Sequence, residues 1–238
     1  MKNVVWIPIL LILSGCAATL FTADRPGEYY QGSSEFKSEN NSLFSSDTIV
    51  LSDTEIERIL NYRYEVPPLN RVAILPFGWS VWSGWSEEMA VATEDVNEKL
   101  IKKLRASSKI YDASFLPSIL IPEKRTVPYI REAAARYQAD LVLVFRSACR
   151  SFQKYRFFRA DKVRAYCSVE AVLLDVRSGL VPFVAVVTRN YNTEKSESDL
   201  NLRETILRSQ LSAIADALEE VSSAIVGFLA KSGSAPDA

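Results

Sequence analysis

Ala139-Asp140-Leu141-Val142-Leu143-Val144-Phe145 reads ADLVLVF, a turn-forming pair followed by five apolar residues. A short apolar run without alternation has no polar side to offer water, so it predicts a strand buried on both faces. Arg71 to Phe77 (RVAILPF) has the same character. Downstream of it, Met89, Ala92, Val96, Leu100 and Leu104 recur at helical spacing. Glu87 and Glu88 open that helix behind a candidate cap, Ser86, and Lys99, Lys102, Lys103 and Arg105 close it, so charge follows the helix dipole at both ends. Buried strands joined by an amphipathic helix make a parallel unit.

The remaining elements extend this unit. Lys109 to Ser114 reads as a weaker strand, and a Pro-marked connection leads to a helix near Tyr129 to Gln138. After Phe145, strands are expected over Val163 to Val176 and Leu180 to Tyr191. The turn Asp175 to Leu180 between them places Gly179 where φ must be free. A long helix follows from about Asp199 to Leu229, with Ile206, Leu207, Leu211, Ile214, Leu218, Val221, Ile225, Phe228 and Leu229 as its apolar stripe. Near the start, Ser52 and Glu55 form a capping box for a short helix whose apolar face is Ile56, Ile59 and Leu60. The order β-α-β-α-β-β-β-α gives an α/β fold. We expect a single three-layer domain over residues 51–231, with a mixed sheet of about five strands and a long C-terminal helix. Residues 232–238 read as a disordered tail.

The amino terminus decides the compartment. Lys2 precedes an apolar run from Val4 to Leu13, too short to span a bilayer but suited to a signal-peptide core. Leu13-Ser14-Gly15-Cys16 resembles the lipobox of bacterial lipoproteins. That resemblance makes 1–15 the signal peptide and Cys16 the lipidated first residue, anchored in the membrane by acyl chains such as palmitate. Ala17, rather than Asp, resembles the signal for sorting to the outer membrane. Residues 16–50 are rich in Ser, Asn, Gly and charge, and read as a lipidated disordered tether.

Composition narrows the function. Apolar residues make up 48% of the 238, enough for a real core, and no second apolar run reaches spanning length. The net charge is −1, or −2 once Lys2 leaves with the signal, which does not favour nucleic acid. Histidine is absent, removing the commonest general base and metal ligand. Ser151 and Lys154 match S-x-x-K, but on a strand they point to opposite faces. No phosphate-cradling loop, nucleophile elbow or metal-ligand cluster is present. The chain is therefore expected to be no enzyme and to need no cofactor or metal.

Two motifs carry a family resemblance over about Arg71 to Leu229. Ala134 to Leu141 follows A-x-x-x-x-A-D-hydrophobic, and Asp175 to Gly179 follows D-x-x-S/T-G. Together with RVAILPF these are similar to periplasmic lipoproteins built on the TolB amino-terminal-like fold. That group includes the curli secretion channel subunit and the lipoprotein activators of penicillin-binding proteins. The resemblance implies the mixed sheet above and a role as scaffold, pore or activator.

The stretch Arg146 to Tyr166 reads as an extended hairpin. Arg146, Arg150, Lys154, Arg156, Lys162 and Arg164 are all even-numbered and share one strand face, which cannot sit in hydrocarbon as a barrel strand would. Cys149 and Cys167 are odd-numbered and fall on the other face, with Val163, Ala165, Val169, Ala171 and Leu173. Pairing Cys149 with Cys167 sets Arg146 opposite Glu170 as a cross-strand ion pair. The cysteines are a disulfide candidate in an oxidising compartment, with two buried free thiols as the alternative. Phe157 and Phe158, with Tyr155, add apolar anchors near the tip.

Trp79, Trp82 and Trp85 follow the first strand. Trp79 to Ser83 matches the WSxWS signature of cytokine-receptor domains, which beside a bacterial lipobox is coincidence. The tryptophans read as a lid on the core, as partner anchors or as an interfacial membrane contact, with the lid favoured for one or two of them and a partner for the remainder. The partner-binding candidates are thus these three together with the hairpin's basic and aromatic residues. The function expected is a non-catalytic outer-membrane lipoprotein facing the periplasm, an adaptor or activator that binds envelope proteins. Cell-wall polymer is a further candidate partner. The alternative is an oligomeric subunit of a secretion or transport assembly.

Overall fold

The computed structural model describes residues 30–31, 42–44, 50–77, 87–155, 160–197, 199 and 201–231. In chain order these form β1 (Tyr30–Gln31), α1 (Asp53–Asn61), β2 (Asn70–Pro76), α2 (Glu87–Arg105), β3 (Ile110–Phe115), α3 (Val127–Arg136), β4 (Leu141–Lys154), β5 (Lys162–Asp175), β6 (Phe183–Glu194) and α4 (Leu202–Lys231). The sheet runs β3-β2-β4-β5-β6. Its β3-β2-β4 half is parallel and its β4-β5-β6 half antiparallel. This is the mixed α/β architecture expected from the sequence, with the long helix at the C-terminus.

The three layers follow from strand parity. Val72 and Ile74 of β2, Leu141, Leu143 and Phe145 of β4, and Val169, Ala171 and Leu173 of β5 share a core with α2 and α4. The opposite side of the same strands, Ala73, Leu75, Val142, Val144 and Leu174, packs on Ile130, Ala133 and Ala134 of α3. Both faces of ADLVLVF are therefore buried, which is why it shows no alternation.

The two family-like motifs close the base of the sheet. The Asp140 carboxylate accepts the backbone N–H of Arg71 at 2.9 Å, joining the start of β2 to that of β4. The Asp175 carboxylate accepts both the N–H and the hydroxyl of Ser178, and Gly179 adopts φ +78° in the turn. Arg71 also pairs with Asp112 and lies over the Tyr137 ring at 4.3 Å. All these groups fix strand ends and turns, so the motifs act on the fold.

Three details differ from the sequence reading. The capping box of α1 is present, yet none of its residues is buried, and Ile56, Ile59 and Leu60 stay exposed. Among the described residues the helix is fixed by its cap, and its apolar stripe is not buried. Next, the stretch read as tether touches the domain twice. Tyr30–Gln31 pairs antiparallel with Phe152 and Gln153, and the Leu43 carbonyl accepts the N–H of Val127. β4 outruns β2 by nine residues, so its unpaired backbone edge is there to be met. Finally, α4 starts at Leu202, where Asn201 caps it by accepting the N–H of Glu204. Its first turns bury Thr205 and Ser209, with Ile206 and Leu207 only half-buried. Helix and sheet meet there through polar groups.

Candidate functional site

β4 and β5 run together from Leu141–Asp175 to Lys154–Lys162 without a break in register. Cys149 stands opposite Cys167 and Arg146 opposite Glu170, the register that the sequence favours. The two sulfurs are bonded, with the Cα atoms 4.1 Å apart. Cys167 is fully buried and lies against α4, where its Sγ is 3.5 Å from the Gln210 carbonyl. Ser151, on the same face, accepts a hydrogen bond from the Gln210 amide at 2.9 Å. Ser151 is thus held beneath α4, and an S-x-x-K site does not form with Lys154 on the other face.

The other face of the arm is open. α3 covers the sheet as far as Val144 and Val172, and among the described residues no element packs on the rows beyond. Those rows read Arg146–Glu170–Val186, Ala148–Ser168–Thr188, Arg150–Tyr166–Asn190, Phe152–Arg164–Asn192 and Lys154–Lys162–Glu194. Arg146 forks onto Glu170 at 2.6 and 2.7 Å. Lys162 lies 3.6 Å from Glu194, and Arg164 donates to the Asn192 amide oxygen at 2.6 Å. Five cations against two carboxylates leave this face at +3 among the described residues. The sequence reading paired Arg146 with Glu170; Glu194, on the third strand, offsets a second cation.

At its centre the face is a checkerboard. Arg150 is opposite Tyr166, and Phe152 is opposite Arg164. The two rings meet edge-on with centroids 5.8 Å apart. Tyr166 is 38% exposed, enough to present both ring and hydroxyl. Arginine and aromatic residues side by side are the combination that anchors protein interfaces. Sequence reasoning missed Phe152 and Tyr166, favouring the tip aromatics instead. Their even numbers, shared with the arginines, were the signal. Tyr155 is exposed and donates its hydroxyl to Gln153.

Several expected site residues lie outside the described residues: Cys16, Trp79, Trp82, Trp85, Arg156, Phe157 and Phe158. Ser86 lies outside them too. Among the described residues no helix is long and apolar enough to cross a membrane. No cluster of three or more His, Cys, Asp or Glu residues that could hold a metal occurs among them either.

No family model matches the chain, and no curated protein matches it. Solved structures with a similar fold include the PelC dodecamer from Paraburkholderia phytofirmans, 20% identical, covering 67% of this chain and 94% of that one with a TM-score of 0.33. A minor lipoprotein from Acinetobacter baumannii is 11% identical, covering 66% and 93% with a TM-score of 0.35. A lipoprotein from Neisseria meningitidis is 12% identical, covering 68% and 98% with a TM-score of 0.29. Identities and scores this low do not bear on what this chain does.

Proposed function

We propose that this protein is a lipid-anchored envelope protein that binds a protein partner through the open face of the β4–β5–β6 arm, as an adaptor or activator without catalysis of its own. The observation that carries the reading is the checkerboard of Arg150, Tyr166, Phe152 and Arg164, which no other described element covers. The lipobox-like Leu13 to Cys16 supplies the anchor, with outer-membrane sorting facing the periplasm. A face at +3 selects an acidic surface and steers it to the aromatic pair. The arm holds this patch beyond the α3 layer, where a partner can reach it.

The test is a photo-crosslinker at Tyr166 in intact cells, with and without Arg150→Glu plus Arg164→Glu. The reading expects one or a few envelope proteins crosslinked by the parent and lost in the double variant, with the melting temperature unchanged. A crosslinking pattern that survives reversal of both charges would refute it.

A further inference from the structure

The outer edge of β6 is built to pair. β6 is twelve residues long and stands at the end of the sheet, in unbroken register with β5. Natural edge strands are usually blunted by shortness, bulges, proline or lysine. The opposite edge, β3, is short, with six residues and Pro117 just beyond it. β6 has no bulge, no proline and no lysine, and its only charged residues are Arg189 and Glu194. Both of these are engaged within the chain, by Glu220 and Lys162.

The 4.1 Å Cα separation of Cys149 and Cys167 marks a non-hydrogen-bonded pair. Odd residues of β5 therefore turn their N–H and C=O groups toward β6, and even residues of β6 turn theirs outward. The bond from Lys195 N–H to the Asp161 carbonyl, between odd partners, has the same phase. Val184, Val186, Thr188, Asn190 and Asn192 thus turn a ladder of backbone donors and acceptors outward, and all five are exposed; one acceptor, the Thr188 carbonyl, is met at 2.9 Å by the guanidinium of Arg189, which a pairing strand would displace. Val184 and Val186 are 60% and 64% exposed, an aliphatic patch beside that ladder.

We infer that this edge pairs antiparallel with β6 of a second copy of the chain, about a two-fold axis at Val186. Such an axis, perpendicular to the sheet, sets even residues opposite even residues, so outward groups meet outward groups. Centred on Val186, it places Val186 against its counterpart and Val184 against Thr188 of the second copy. Phe183 meets Arg189 of the second copy, so no like charges face each other. An axis at Arg189 would oppose two arginines, which is unfavourable. A near-neutral, self-complementary edge fits its own copy better than an acidic or basic strand. The ladder is the outer backbone edge of β6, whereas the checkerboard is made of β4 and β5 side chains on the adjoining face, so either can fail alone.

The experiment is the native mass of the full chain in detergent, with oxidative crosslinking of Val186→Cys. Cys149 and Cys167 are bonded to each other and the proposed lipid occupies the Cys16 sulfur, so the added thiol is the free one. The expected results are a mass of two chains and a covalent homodimer from Val186→Cys. Val186→Lys should weaken self-association by about tenfold or more, through like charges at the axis, with the melting temperature unchanged. Thr188→Pro should do the same, because its N–H points away from β5. A single-chain mass at all concentrations, with no crosslinked homodimer, would overturn the inference. So would Val186→Cys crosslinking in cells to a different protein and not to itself.

Discussion

Opening the Cys149–Cys167 bond should loosen the arm by an amount the chain length sets. The bond closes a loop with a sequence separation of 18. Restricting a loop of that size removes unfolded-state entropy worth about 3 kcal/mol at 25 °C. For a domain of this size that corresponds to a fall of roughly 6–12 °C in melting temperature. Reduction of the unaltered protein is the cleanest perturbation, since every side chain stays in place and no cavity is added. Differential scanning calorimetry with and without reductant reads the shift. A double-mutant cycle gives a second measure. Cys149→Ala and Cys167→Ala should each lose the bond's contribution, and the double variant should lose little more than either. Additive single losses, or two reactive thiols in the native protein, would refute the reasoning.

Three further outcomes follow from the base of the sheet and from α1. Gly179→Ala must hold a φ of +78° and place its Cβ 3.0 Å from the Arg131 guanidinium, so chemical denaturation should show a loss of about 1–2 kcal/mol. Ser52→Ala breaks the capping box at a cost of about 1 kcal/mol. Because α1 buries no residue, hydrogen exchange within it should quicken while the global melting temperature holds. Burial would raise the Asp112 carboxyl, but hydrogen bonds from Arg105 and Arg71 outweigh it and hold the group below its ordinary value of 3.8. Its stabilising effect is therefore present above that pH and lost as the pH falls through the lowered value. Asp112→Asn should destabilise the protein at neutral pH, and the melting temperatures of the two should begin to approach each other as the pH falls below about 3.8 and meet only below the lowered value.

What the sequence made legible was whatever parity and periodicity control. ADLVLVF located the central strand because burial on both faces leaves no polar position. The odd cysteines and even arginines located the two faces of the arm because strand period is two whatever packs above. The helices were legible through stripes and caps, down to the Ser52–Glu55 box. Less was visible where an outcome depends on which neighbour arrives. Ile56, Ile59 and Leu60 form a proper stripe, yet nothing in a stripe says whether a second element covers it. The pairing of Tyr30–Gln31 with β4 rests on backbone groups, which no side-chain pattern advertises. The charge of the open face depended also on Glu194, which lies on a third strand. Val184 and Val186 looked like ordinary strand residues, because being last in the sheet is a property of topology.

The arm's two faces depend on a single register, and this ties the disulfide to binding. A slip of one residue between β4 and β5 would turn one strand's side chains over, placing Arg150 or Arg164 under α4 and the two cysteines on opposite faces. Burying a guanidinium group without a partner is strongly unfavourable, so the slipped state is disfavoured wherever α4 covers the sheet. That cover is polar near the arm's outer half, where Ser209 donates to the Tyr191 carbonyl and Gln210 bonds Ser151. Polar contacts discriminate less against a slip than a packed apolar core does. The Cys149–Cys167 bond lies at this boundary, between the apolar root and the polar outer half. It fixes the register where packing alone would fix it least, and so keeps the checkerboard facing outward. Reduction should therefore weaken partner capture at Tyr166 more than the global loss of stability requires. Capture that stays at full strength in reduced, still folded protein would separate the bond from the site.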